Sequence, residues 1–415
     1  MSNVHVVDMI MGSGKTSAAL NHMNRCRYGN NFLYITPFLK EIDRVKAACP
    51  DLHFVEPKQE CGGSKLRDIK NLLSKRCNVV STHALFRKFT PEIMDICCCN
   101  GYTLIMDEVT DVIEQFPISA DDRKILFKEL VTVDKDTGIV KWREDKKDYV
   151  GEFQDIKEKC DMGCLMSYGE NNNIMLWLLP VECFSMFSEV YILTYLFDAQ
   201  IQRYYYDYFG LKYDYMYVEG DRYQDYKFTT TPKAQRIKHD YSSLINICDN
   251  VKLNKIGDNY HDLSKGWFKR NEDNKVVLPQ LKNNIYNYFR NVINSPSDNN
   301  IWTTFKDYKQ KLSGKGYAKG FLPSNSRATN AYKDRTCLAY CLNRFIDPFI
   351  VKFFEKHNVT VSENEYALSE MLQFIWRSAI REGKEINVYI PSKRMRDLLI
   401  QWIKDNPKNI EEDTL

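Results

Sequence analysis

No run of about 18 apolar residues occurs in the 415-residue chain, so a membrane-spanning helix is excluded. An excess of one charge is also missing. There are 58 Lys and Arg against 55 Asp and Glu, a net charge of +3. Charge alone therefore does not indicate a nucleic-acid binder, which would show a basic patch or a strongly basic domain. Internal repeats and low-complexity segments are lacking. There is no C-x-x-C knuckle, despite 13 Cys. Cys160 and Cys164 are four apart, as are Cys337 and Cys341, and neither pair has a His at zinc spacing. The run Cys97-Cys98-Cys99 is no ligand pattern. The expectation is reduced core thiols and no metal held by cysteine. The chain runs straight into a strand with no basic n-region or apolar h-region. That gives the expectation of a cytoplasmic protein with no membrane partner.

What is present is a globular balance. Hydrophobic residues make up 44% and charged residues 27%, enough to fill two cores of about 200 residues each. The first 110 residues alternate strand and helix. Val4 to Met9, Phe32 to Thr36, Asn78 to Ser81 and Tyr102 to Met106 are short apolar runs of the buried-strand type. Thr16 to Asn24 and Leu39 to Ala48 read as helices. Near-continuous apolar strands alternating with helices imply a parallel sheet covered on both faces.

Residues 115–188 break that rhythm and read as an insertion. Leu130 to Val133 and Ile139 to Trp142 flank a Gly138 turn, the pattern of a β-hairpin. Val190 to Leu196 returns to a buried strand. A second alternating region starts near Leu244. Its expected strands are Lys252 to Ile256, Asn300 to Thr304, Lys319 to Leu322 and Ile386 to Ile390. Its expected long helices are Ala339 to Lys356 and Tyr366 to Arg381. The fold class is α/β, in two domains, 1–215 with the insertion and 216–415.

The chemistry centres on Gly12-Ser13-Gly14-Lys15-Thr16, followed by Ser17. Glycines let backbone N–H groups approach phosphate oxygens. Lys15 supplies a point charge for the β and γ phosphates, and the Thr16 hydroxyl a Mg²⁺ ligand. Met9 stands where the longer form of the motif has its first glycine. Leu104-Ile105-Met106-Asp107-Glu108 places two carboxylates at the end of a buried strand. Asp107 suits Mg²⁺, and Glu108 suits orientation or deprotonation of water. The competing reading of Asp107 is an exposed acidic strand end.

These two segments resemble the first and second motifs of superfamily-two helicases of the DEAD/DEAH-like kind. Asp107-Glu108-Val109-Thr110 departs from the commonest forms at its third and fourth residues. Tyr34-Ile35-Thr36-Pro37 and Ser81-Thr82-His83 resemble the segments between them that touch the nucleic-acid backbone. Thr194, after a long insertion, matches the coupling motif in one residue. Ile301 to Phe305, with Thr304, resembles the fourth motif. Ser326-Arg327-Ala328-Thr329-Asn330 resembles the fifth. Gln373-x-x-x-Arg377, with Arg381, resembles the sixth. The spacing of four predicts one helical face for all three. Either arginine could be the finger, and the bland alternative is a solvated basic stripe. Pro391 to Arg396 is read equally as a phosphate contact or a solvent-facing helix start.

The resemblance implies two RecA-like P-loop domains, with ATP and Mg²⁺ as cofactors. It implies ATP-driven movement along single-stranded or forked DNA, or RNA, with replication proteins as further partners. Trp142 would be a candidate wedge. The overall pattern looks most like phage replication proteins, placing the protein in the host cytoplasm. Three other classes fit a P-loop. A packaging ATPase with a nuclease lobe would need clustered carboxylates, for which Asp334, Asp347, Glu363 and Glu365 are candidates. The others are a small-molecule kinase and an ATP-switched replication loader.

Overall fold

The computed structural model describes residues 3–37, 39–59, 64–169, 174–220, 225–232, 239–324 and 331–407. The chain divides into two compact units. One comprises Met1–Met9, Ser13–Thr231 and Asp347–Val361. The other comprises Ile10–Gly12, Pro232–Ile346 and Ser362–Leu415.

The first unit is built on a seven-stranded sheet. Its strands are β1 (Val4–Asp8), β2 (Asn31–Thr36), β3 (Val79–Thr82), β4 (Tyr102–Asp107), β10 (Glu189–Thr194), β11 (Asp214–Glu219) and β12 (Lys227–Thr229). They lie in the order β12-β11-β1-β10-β4-β2-β3. All pairings are parallel except β11 with β12. The central strands are buried on both faces, as their unbroken apolar sequences require. Helix α1 (Lys15–Arg25) and helix α2 (Leu39–Ala48) pack Ala19, Leu20, Met23, Ile42 and Val45 against Phe32, Tyr34 and Ile105.

The expected boundary at 215 and 216 moves to Thr231 and Pro232. The reason is pairing: Tyr215 and Met216 of β11 lie beside Val6 and Val7 of β1, and β12 closes the edge. The Tyr-rich stretch from 212 therefore extends the first sheet.

The insertion begins at β5 (Ile113–Gln115). The hairpin is present as β6 (Val131–Val133) and β7 (Val140–Trp142), with Gly138 at φ +73° in its turn. Two further strands, β8 (Leu165–Tyr168) and β9 (Ile174–Leu178), complete a three-stranded antiparallel sheet with β5. The insertion thus carries a small sheet of its own. Its apolar residues Leu165, Met166, Met175 and Leu176 are buried.

Residues 347–361 return to the first unit. Helix α3 (Ile201–Phe209) is met there by helix α4 (Pro348–Lys356). Phe354 packs on Tyr204, Phe353 packs on Tyr208, and the Tyr168 hydroxyl donates to the Lys352 carbonyl at 3.0 Å.

The second unit carries four parallel strands. They are β13 (Ile245–Ile247), β14 (Asn300–Thr303), β15 (Cys337–Tyr340) and β16 (Ile386–Tyr389), in the order β13-β16-β15-β14. Several expectations fail here. Lys252 to Ile256 is helical, because Asn250 caps Val251–Asn254 by accepting from the Leu253 N–H. The Lys319 to Leu322 strand reduces to one bridge between Trp302 and Phe321. Ala339 lies in β15, so no helix starts there. The helix begins at Pro348, where Asp347 caps it. Helix α5 (Glu363–Ile375) stops at Trp376, and Ala379–Glu382 is a separate short turn. Helix α6 (Lys393–Asp405) closes the chain's described part.

Candidate functional site

The first unit gathers its chemistry at the carboxyl ends of its parallel strands, where open α/β sheets bind ligands. Asp8 ends β1, Thr194 ends β10, and Asp107 ends β4. Asp8 lies in register with Thr194, and Leu193 with Asp107. The strand expected to rejoin the sheet thus runs between the two motif-bearing strands.

After β1 the backbone turns through Gly12 at φ +84° and Gly14 at φ +93°. A residue with a Cβ is strained in that region. A Cβ on Gly14 would also lie 2.5 Å from the Tyr226 ring. Gly14 is the N-cap of α1 and supplies no side-chain cap, and no acidic residue sits in the first turn. The first N–H groups of α1 are left for a ligand, a ready anion site. Ser13 Oγ is buried with no hydrogen-bond partner among the described residues. Thr16 and Ser17 are half-buried in the first turn. Lys15 is buried and donates from Nζ to the Met9 carbonyl. That carbonyl offsets part of the desolvation cost of the buried ammonium.

Asp107 is not an exposed strand end. It is 8% exposed. Burial pushes its carboxyl up to about 7, with Glu108 and Glu41 adding to the rise and Lys15 opposing it. Asp8 is also raised by burial. The N–H groups of Phe197 and Leu196 and the charge of Lys15 oppose the shift. Those N–H groups donate to the Asp8 carboxylate at 2.9 and 2.8 Å. Two raised carboxyls near one buried lysine fit a site completed by a cation. Asp107 and the Thr16 hydroxyl are hard oxygen donors of the kind Mg²⁺ takes. Among the described residues no cluster of three or more His, Cys, Asp or Glu could hold a metal by itself.

Glu108 is half-buried and sits at φ +68°, a left-handed conformation that a non-glycine residue adopts at a cost. Its N–H is held by the Leu193 carbonyl at 2.9 Å. The Thr110 N–H donates to Gln202 Oε1 at 2.9 Å, and Gln202 is buried on α3. Thr194 is buried, and its Oγ1 has no partner among the described residues.

Thr36 is buried at the end of β2, while Pro37 and Thr82 are half-buried. His83 Nε2 lies 3.0 Å from the Asp107 carbonyl and, facing an acceptor, donates to it. Trp142 holds its indole N–H on the Lys146 carbonyl at 2.9 Å and packs against Tyr149.

In the second unit, Thr304 is buried just beyond β14, and its hydroxyl has no partner among the described residues. Gln373 and Arg377 are buried, and Arg381 is exposed. They do not share a helical face, because α5 ends before Arg377. The Ser378 hydroxyl donates back to the Ile375 carbonyl at 2.6 Å, and the Ala379 N–H donates to the Arg335 carbonyl at 2.9 Å. Those bonds replace helix continuation, and the burial of Gln373 and Arg377 speaks against a solvated stripe. Arg327, Thr329 and Asn330 lie outside the described residues.

The basic run after β16 is structural. Arg394 is buried and donates to the Asn343 side chain and to the Arg344 and Glu363 carbonyls. Arg396 donates to the Ile390 and Pro391 carbonyls. The Cys160 and Cys164 thiols are buried and pushed up to about 12 by burial. Sequence reading missed Asp8, Gln202 and Tyr226. Asp8 was visible as the one charged residue inside an apolar strand. The other two are linked to the site only by folding.

The chain matches two family models, the YonV middle domain over residues 113–177 and the YonV C-terminal Rossmann-like domain over residues 239–403. It is 41% identical over 416 residues to a Bacillus subtilis (strain 168) protein described as SPbeta prophage-derived uncharacterized protein YonV, covering 98% of this chain and all of that one. Among solved structures it is similar to Xpd4 of S. tokodaii, at 11% identity and TM-score 0.47, covering 96% and 94% of the two chains. A DEAD box protein from Methanococcus jannaschii is matched at 12% identity and TM-score 0.27, covering 98% and 86%. Both scores lie below 0.5, and the fold rests on the chain's own topology.

Proposed function

This chain belongs to the YonV family, and we propose that it is an ATP hydrolase that couples nucleotide turnover to movement on nucleic acid. The observation that carries the proposal is the alignment of three parallel strand ends. The glycine loop and Lys15 follow β1, and Asp107 and Glu108 follow β4. Thr194 on the strand between has a buried, unsatisfied hydroxyl. Phosphoryl transfer needs positioning and charge neutralisation more than covalent chemistry, and these groups supply both.

In this reading the α1 N-terminus and Lys15 hold the phosphates. Thr16 and Asp107 hold Mg²⁺, which neutralises charge on the phosphate oxygens. Glu108 orients the attacking water and accepts its proton. Gln373 with Arg377 or Arg381 serves the γ-phosphate, as the sixth-motif resemblance implies. Thr36, Pro37, Thr82, His83 and Thr304 bear on the nucleic-acid strand, along with Arg327, Thr329 and Asn330. The track is single-stranded or forked DNA, with RNA as the other option, and the setting is phage DNA replication in the host cytoplasm. The prophage origin of the relative supports that setting.

The packaging-nuclease alternative finds no support among the described residues. Asp334 pairs with Lys384, Asp347 caps α4, and Glu363 and Glu365 lie in the first turn of α5. The test is ATPase activity with and without single-stranded DNA, in wild type and in Lys15→Ala. The expected result is stimulated turnover in wild type and none in the folded variant. Undiminished stimulated turnover in Lys15→Ala would overturn the proposal. Turnover that ignores DNA would favour an ATP-switched loader.

A further inference from the structure

The first unit contains a cavity of about 880 Å³ whose lining includes none of the strand-end residues described above. The insertion and the α3 region wall it. Four methionines line it: Met94, Met162, Met166 and Met186. Phe209, 38% exposed at the end of α3, contributes an aromatic edge. Methionine is flexible and polarisable, so a methionine-lined surface reshapes around different apolar side chains. That property suits a peptide groove better than a rigid small-molecule slot.

The charged residues among the described lining are of one sign. Asp95, Asp136, Asp161 and Glu182 are all lining residues, and all four are exposed. No lysine, arginine or histidine is among the described lining residues. Asp161 is paired with Lys157 at 3.1 Å. Asp95, Asp136 and Glu182 have no ion pair among the described residues. Charge complementarity therefore selects the occupant. An acidic peptide or a nucleic acid would be repelled. An apolar segment carrying Lys or Arg beside its large side chains would satisfy both features.

We propose that this cavity is a docking site for a basic amphipathic segment of a partner protein. Its apolar anchors enter the methionine-lined floor, and its cations face Asp95, Asp136 and Glu182. The site is separate from the nucleotide chemistry and does not depend on it.

The probe is a fluorescein-labelled Lys/Leu amphipathic peptide of about 14 residues, long enough for an i, i+4, i+7 apolar face. Two controls accompany it, one with Glu for every Lys and one with Ser for every Leu. Anisotropy should show saturable binding of the Lys/Leu peptide only. Asp95→Lys with Glu182→Lys should weaken binding at least tenfold. So should Met162→Asn, an uncharged polar change at a half-buried position. Both variants should keep wild-type circular dichroism and DNA-stimulated ATPase. Hydrogen exchange should slow at residues 94–95, 162–166 and 182–186 when the peptide binds. Equal binding of the Glu or Ser peptides, no binding of any, or binding indifferent to both variants would overturn the proposal. Saturable binding of a small apolar amine without the peptide would make the cavity a small-molecule site instead.

Discussion

The side chain of His83 donates a hydrogen bond, 3.0 Å long, to the main-chain carbonyl of Asp107. One residue follows β3 and the other ends β4, with β2 lying between those strands. The bond ties a segment expected to face nucleic acid to the backbone of the residue whose carboxylate is expected to hold the metal. Two sites can influence one another through such a contact only if it differs between two states.

His83→Ala should therefore act on coupling more than on binding. Nucleotide affinity should change little, and DNA-stimulated kcat should fall about tenfold, a loss near 1.4 kcal/mol. Unstimulated turnover should fall less. Steady-state ATPase with and without a single strand measures the ratio. A proportional loss in both would make His83 a purely structural residue.

Asp107 gives a pH prediction with a defined sign. Its carboxyl is pushed from 3.8 up to about 7 by burial. The folded protein then binds a proton that the unfolded chain has released between those values. Stability from this group is present below about pH 4 and is lost as pH rises to about 7. The loss is about 4 kcal/mol. Asp107→Asn should remove that slope in metal-free protein and raise the melting temperature at pH 8. Mg²⁺ should stabilise wild type above pH 7 and leave Asp107→Asn unmoved. Melting curves across pH, with and without Mg²⁺, check both statements.

Glu108 sits at φ +68°. Glu108→Gly should stabilise the fold by about 1 kcal/mol relative to Glu108→Ala, because glycine takes that conformation freely. Both should lose hydrolysis while still binding nucleotide. Urea denaturation and single-turnover hydrolysis separate the two effects. A Glu108→Ala variant as stable as Glu108→Gly would show that the backbone there is unstrained.

Arg377 and Arg381 differ in burial, which separates their substitutions. Arg377→Ala removes a buried guanidinium and should cost about 2–4 kcal/mol of stability. Arg381→Ala changes an exposed residue and should leave the melting temperature nearly unchanged. A finger arginine is worth about 10³-fold or more in kcat. A loss of that size in Arg381→Ala, with normal stability, would assign the role to Arg381. Normal turnover there would leave it with Arg377.

The strands of the first sheet were legible because their burial on both faces writes an uninterrupted apolar signal. Val4 to Met9, Phe32 to Thr36 and Tyr102 to Met106 needed no context. The glycine loop was legible because its backbone conformation demands particular residues. The second half was read less well for a physical reason. Lys252 to Ile256 is a short mixed stretch, and Ala339 to Lys356 holds both a strand end and a helix start, so local periodicity does not separate helix from strand there. Asn250 as a cap and the parallel partners of β15 decided them.

Local chemistry determined the site's components: glycine at two left-handed positions, a lysine at the start of a helix, and paired carboxylates after an apolar run. Tertiary structure decided their state. Folding buried Asp107 and raised its carboxyl, set Lys15 on the Met9 carbonyl, and turned His83 toward the Asp107 backbone. It also ended α5 before Arg377, which separated Gln373 from the arginines that sequence spacing had placed on one face. Spacing reports which side chains could meet on an ideal helix. Desolvation and hydrogen-bond partners depend on segments far apart in the chain, and only packing brings those together.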